Sequence, residues 1–226
     1  AIPAAANLVF QGGLTHAGTL FNAANASIVT TGNRTITATN AFTLAPVFSG
    51  TGTLTISGAG GLTLNSSADV LIPTSLTVSA ASSLTLNSSG NTTVSTTTTV
   101  NGSLLINGKS FTALGNITVA NGGTLDIGAG GFLRMANATS ITNAGTFRAV
   151  GTLGSVATVT NNGSGSFTIT QSASTGVFHA QYYLFDDLGT AGIVISNGSI
   201  NATNNFSNGS FTNGLGGTNS TYLNLN

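Results

Sequence analysis

The sequence predicts an all-β fold, a parallel β-solenoid (β-helix) with ~22-residue coils. Three observations carry that prediction. First, one motif recurs between residues 51 and 150: Leu54 and Leu76 stand 22 residues apart, as do Leu62 and Leu84, and later copies follow at 19 to 24 residues. Second, each copy alternates apolar residues with Thr and Ser over three or four positions and then breaks at Gly, Asn, Ser or Ala, the pattern of a very short, half-buried strand. Third, no stretch sustains an apolar period of 3.6, so no helix is expected. A single coil cannot bury its own apolar face. Stacked coils can, because equivalent residues lie above one another in columns. A β-sandwich or jelly-roll fibre subunit is the alternative, since it also shows many short strands, but the regular period favours the solenoid.

In chain order, residues 1–12 read as an extended N-terminal arm carrying the apolar run Leu8-Val9-Phe10. Residues 13–50 read as irregular first coils or a cap, with short apolar runs broken by Asn and Gly. The regular solenoid occupies 51–171. Its strands are expected at 53–56, 62–64, 75–78, 84–86, 98–100, 104–106, 116–119, 125–127, 139–141 and 147–150. Gly and Asn between them supply corners, where positive φ is tolerated. Residues 172–226 form aromatic-rich C-terminal coils and a terminal strand, Tyr222-Leu223-Asn224-Leu225.

Composition excludes several functions. Only 4% of the 226 residues are charged, with four Lys and Arg, four Asp and Glu, and a formal net charge of zero. Such a chain cannot build the cationic face that nucleic acid requires. Cysteine is absent, which excludes a thiol nucleophile and a Cys-ligated metal. No apolar run reaches the ~20 residues of a transmembrane helix. The opening Ala1-Ile2-Pro3-Ala4-Ala5-Ala6 lacks the basic region of an intact signal peptide.

The segments Gly-Gly-Thr-Leu-Asp-Ile-Gly at 122–128, Asn-Ala-Gly-Thr-Phe at 143–147 and Ser-Asn-Gly-Ser at 196–199 resemble right-handed parallel β-helix surface and secreted proteins, such as autotransporter passengers and haemagglutinin-like adhesins. The resemblance covers residues 50–215 and is one of style, since no position is a family signature. It implies an extracellular or cell-surface location, a rod-like shape, and adhesive or structural work.

Little in the chain suggests catalysis. The four acids are Asp69, Asp126, Asp186 and Asp187. Asp69 and Asp126 belong to different coils, too far apart to act as the paired carboxylates of sugar cleavage. Asp186 and Asp187 point to opposite faces of a strand. In a turn they would offer oxygens to Ca²⁺, but a polar turn after an aromatic strand is the plainer reading. The Gly-rich corners 58–61 and 128–131 lack the Lys-Ser/Thr and the following helix of a phosphate loop. No enzyme activity, catalytic residue, metal site or cofactor is therefore expected. His179, Tyr182, Tyr183 and Phe185 are the ligand or partner-docking candidates, although a bulky plug of the solenoid is the favoured reading of that stretch. His16 reads as a polar loop residue. Fourteen Asn-X-Ser/Thr sequons are glycosylation candidates: Asn25, Asn33, Asn65, Asn87, Asn91, Asn101, Asn116, Asn137, Asn162, Asn197, Asn201, Asn205, Asn208 and Asn219. Corner chemistry alone also yields Asn-Gly-Ser and Asn-Ser-Ser.

The function expected from these readings is a structural subunit of an extracellular self-assembling filament, a pilus, sheath or surface fibre. Subunits without net charge do not repel one another, and an open solenoid end is an unpaired sheet edge. The interface candidates are Leu8, Val9, Phe10, Tyr222, Leu223 and Leu225, and the partners are copies of the chain itself. The alternative is a surface adhesin or carbohydrate-binding rod module with surface glycans as partners.

Overall fold

Among the described residues, strands pair with the strand one coil away and not with a sequence neighbour. In the computed structural model Leu54 pairs with Leu76, 22 residues on, and Leu62 pairs with Leu84, the period read in the sequence. The structure describes residues 7–10, 14–16, 22–31, 34–38, 42–51, 53–66, 69–73, 75–214 and 222–226, with side chains from Thr53 onward and at Ile36 and Thr37 before it. All inter-coil pairing is parallel, in three sheets of ten, seven and ten strands. No helix occurs among the described residues.

We number the coils 1 to 10 from the N-terminus and the sheets in the order a complete coil visits them. Coil 7 shows the plan: Thr124–Ile127 lies in sheet 1, Phe132–Met135 in sheet 2 and Thr139–Asn143 in sheet 3. Coils 4 to 10 supply all three strands, whereas the described residues of coils 1 to 3 supply strands to sheets 1 and 3. Asn7–Phe10, within the segment read as an arm, is the outermost strand of sheet 1 and pairs with Asn22–Thr31. Nine steps of ~4.8 Å make the axis roughly 43 Å long.

The strand pattern explains the core. In Ser103–Ile106 and Thr124–Ile127 the second and fourth residues are buried and the others lie on the outside. Stacking turns that alternation into interior columns. Leu62, Leu84, Leu104, Leu125, Phe147 and Phe178 form one, and all are 1% exposed or less. Each such side chain contributes about 1.5–3 kcal/mol of burial. Towards coil 10 the column turns aromatic: Phe147 stacks on Phe178 at 4.7 Å and Phe178 on Phe206 at 5.1 Å. The coils widen there too, since Thr146 pairs with Val177, 31 residues on. Larger rings fill the larger cross-section.

Among the buried polar residues, two join in a hydrogen-bonded chain at one corner. Asn143 and Gln171 are buried, and the Asn143 amide donates to Gln171 Oε1 at 2.7 Å. Gln171 Nε2 in turn donates to the carbonyls of Asn197 and Ser199. This chain ties coils 7 to 10 together where they turn from sheet 3 towards sheet 1.

Candidate functional site

The outer face of sheet 1 is a column of Thr in its early coils, Thr63 and Thr85. The same column continues as Leu105, Asp126, Arg148 and His179. Three of the chain's few ionisable residues therefore stand one above another, each at the third position of its strand and each on the solvent side by strand parity. The Arg148 guanidinium donates from Nη1 to both Asp126 oxygens, at 3.0 and 2.9 Å. It is the one ion pair among the described residues. One coil further on, His179 Nδ1 lies 3.4 Å from the Asn204 amide. Partial burial pushes the His179 pKa below its ordinary value; the Arg148 charge pushes it the same way, and Asp126 opposes both. The shift favours the neutral imidazole, in which Nδ1 accepts from the Asn204 amide.

Beside this column a groove of about 260 Å³ opens along the corner between sheets 1 and 2. Leu105 and Val150 form apolar walls, Asp126 and Arg148 lie along one side, and Asn107 and Gly128 lie at the corner. Gly128 leaves room there, because a Cβ in its place would press on the Asn107 side chain. Asn107 follows Asn65 and Asn87 in an outward Asn column, in which the Asn87 amide donates to Asn65 Oδ1 at 3.1 Å.

The aromatic stretch takes a different form from a docking patch. Tyr182 has φ 47° and breaks the alternation between two strands. Phe178 faces inward, His179 outward, and after the break Tyr183 and Phe185 face inward again. Phe185 is fully buried and the Tyr183 hydroxyl donates to the Phe206 carbonyl. Neither reaches a surface ligand, so the docking assignment of Tyr183 and Phe185 is not retained. They are core residues, part of the plug. Tyr182 lies at the corner, half-buried.

Asp186 and Asp187 meet at a corner, where Asp187 has φ 59°. Asp186 Oδ1 accepts from the Thr212 hydroxyl at 2.6 Å, and Thr160 lies against both carboxylates. These contacts make a polar corner. Among the described residues no group of three His, Cys, Asp or Glu gathers as for a metal ion. Asp69 caps the neighbouring coil by accepting from the Asn91 backbone amide at 2.8 Å, far along the axis from Asp126.

The sequons sit mostly at corners. Asn65, Asn87, Asn116, Asn137, Asn162, Asn197, Asn205 and Asn208 are exposed, and Asn91, Asn101 and Asn201 half-buried. Several already serve the fold: Asn116 Oδ1 accepts from the Ser140 amide and Asn137 Oδ1 from the Ser166 amide. In Asn87, Asn91 and Asn205 the side-chain nitrogen itself is donating. Asn33 and Asn219, and the side chains of Asn25, His16, Leu8, Val9 and Phe10, lie outside the described residues. At the other end Tyr222 and Leu225 are exposed and Leu223 is half-buried.

Comparison with protein-family models, with curated proteins and with solved structures gives no match to this chain. No helix among the described residues is long and apolar enough to cross a membrane.

Proposed function

We propose that this chain is a structural rod unit that polymerises head to tail through the open edges of its sheets, as a subunit of an extracellular filament. The observation that carries this reading is the C-terminal edge of coil 10. There Ser199–Ser207, Ser210–Thr212 and Leu223–Leu225 are the outermost strands of all three sheets. The Tyr222 carbonyl and the Asn226 amide bond inward to Ile193 and Ile195. By strand alternation the backbone groups of Leu223 and Leu225 then face away from the sheet, with no partner among the described residues. Beneath them Ile200, Phe206, Phe211 and Leu223 are only partly buried against the core.

Strand direction supports the same reading. Because every strand is parallel to its neighbours, the edge at coil 1 and the edge at coil 10 have complementary polarity. Sheets 1 and 3 reach both ends, with Asn7–Phe10 and Leu14–His16 outermost at coil 1. A second copy placed on coil 10 would continue those two sheets in the geometry of one more coil. Such a contact is heterologous and does not close, so it gives a fibre. Zero net charge removes the long-range repulsion that would oppose it. A surface or secreted setting goes with this reading, on the low charge and the many sequons.

The test is sedimentation of the purified chain over a concentration series beside Leu225→Pro. Proline there removes an outward amide and leaves the inward bonds of Tyr222 and Asn226 in place. The reading expects mass to grow with concentration in the parent and association to weaken by about tenfold or more in the variant. A parent that stays monomeric throughout, or a variant that associates equally well, would overturn it.

A further inference from the structure

We infer that the groove beside the Asp126–Arg148 pair is a binding site for a neutral hexose unit of a glycan, a role that does not depend on end-to-end association. Charge selects the class of ligand. Asp126 and Arg148 cancel each other at 2.9 Å. A carboxylate or sulfate ligand would meet Asp126, and an ammonium would meet Arg148, so neither ion gains net attraction. What the pair offers is hydrogen bonding. Arg148 spends only Nη1 on Asp126, and among the described residues Nε and Nη2 have no partner. The Asp126 oxygens each keep accepting capacity.

Donors and acceptors fixed side by side on two stacked strands match the adjacent hydroxyls of a pyranose, which both donate and accept. Holding a carboxylate by the guanidinium also orders both groups before any ligand arrives, which lowers the entropy cost of binding. The walls fit the remainder of the ring. Leu105 and Val150 offer apolar surface to its C–H face, and Asn107 adds an amide at the corner. The groove crosses coils 6 to 8, two steps of ~4.8 Å, so its floor is the rigid sheet rather than a loop. The column thus changes from Thr to Leu, Asp and Arg over the same coils that line the groove.

The experiment is saturation-transfer NMR on the whole chain with methyl glucoside, methyl galactoside and methyl mannoside. Glucuronate and glucosamine serve as charged counterparts. Arg148→Gln removes the fork of donors, and Gly128→Ala fills the corner by displacing the Asn107 side chain while leaving both charges. Circular dichroism and melting check that each variant keeps its fold. The inference expects transfer to at least one neutral glycoside, weaker transfer to both charged sugars, and a loss of affinity of about tenfold or more in each variant. No transfer to any neutral glycoside would overturn it. So would transfer that both variants leave unchanged, or a preference for a charged sugar.

Discussion

His179 shows how one residue in this fold reports on its coil. Its side chain stands outside sheet 1, yet Arg148 below it and Asn204 above it leave it partly buried, and its pKa falls below 6.5. The unfolded chain then binds a proton more readily than the folded one, so stability rises with pH across that window. Stability from this group is complete above pH 6.5, the ordinary value, and is lost as pH falls through the lowered one. We predict that melting temperature drops below about pH 6.5 in the parent, and that His179→Gln flattens this part of the profile. An unchanged profile in the variant would show that the imidazole is not the titrating group. The Asp126–Arg148 pair lies on the outer face and is partly exposed, so Asp126→Asn should cost no more than about 1 kcal/mol of stability, measured by denaturant unfolding. Its larger effect belongs to the groove. None of this column was legible residue by residue. Asp126, Arg148 and His179 are far apart in the chain, and only the coil register makes them neighbours. The signal was present all the same, because each occupies the position held by Thr63 and Thr85 in earlier copies. In the aromatic stretch the favoured plug reading, and not the docking one, fits Tyr183 and Phe185: four bulky residues close in sequence look like one patch, but the positive φ of Tyr182 resets strand parity and sends two of them inward.

At the scale of the element, the corner decides how closely coils stack. Gly102, Gly123 and Gly145 precede the sheet 1 strands of coils 6, 7 and 8 and form a column of their own. A Cβ at Gly123 would run into the carbonyl oxygen of Val100 in the coil below, and that backbone is pinned by its own hydrogen bonds. Gly123→Ala is therefore expected to destabilise by about 1–3 kcal/mol. Its neighbour Gly122 has φ 80° but open space around it, so the two glycines answer different needs, contact at one and conformation at the other. Denaturant unfolding of Gly123→Ala checks this, and a midpoint matching the parent would mean that the corner relaxes freely. Gln171→Leu is expected to cost about 1–3 kcal/mol, because it strips the carbonyls of Asn197 and Ser199 and the amide of Asn143 of a buried partner. Strands of sheets 1 and 3 were readable because Leu, Ile and Val alternate with Thr in nearly every copy. Sheet 2 was not. Its members include Val70–Ile72, Thr92–Val94 and Ser110–Ala113. They are short and share no residue pattern, so only the pairing of each with the next coil defines them.

For the whole molecule, period and alternation sufficed to give the architecture, since a 22-residue step with two or three short strands has few ways to bury its apolar face. The proposed function is a matter of edges and surface. Parallel stacking makes the two ends complementary, and the exterior is almost uncharged. The central claim is that copies join along the coil axis, and negative-stain electron microscopy of the purified chain at rising concentration tests it most directly, with Leu225→Pro alongside. The account predicts filaments one solenoid wide that lengthen with concentration and are lost in the variant. Uniform short rods at every concentration, or sheets of rods joined side by side, would contradict it.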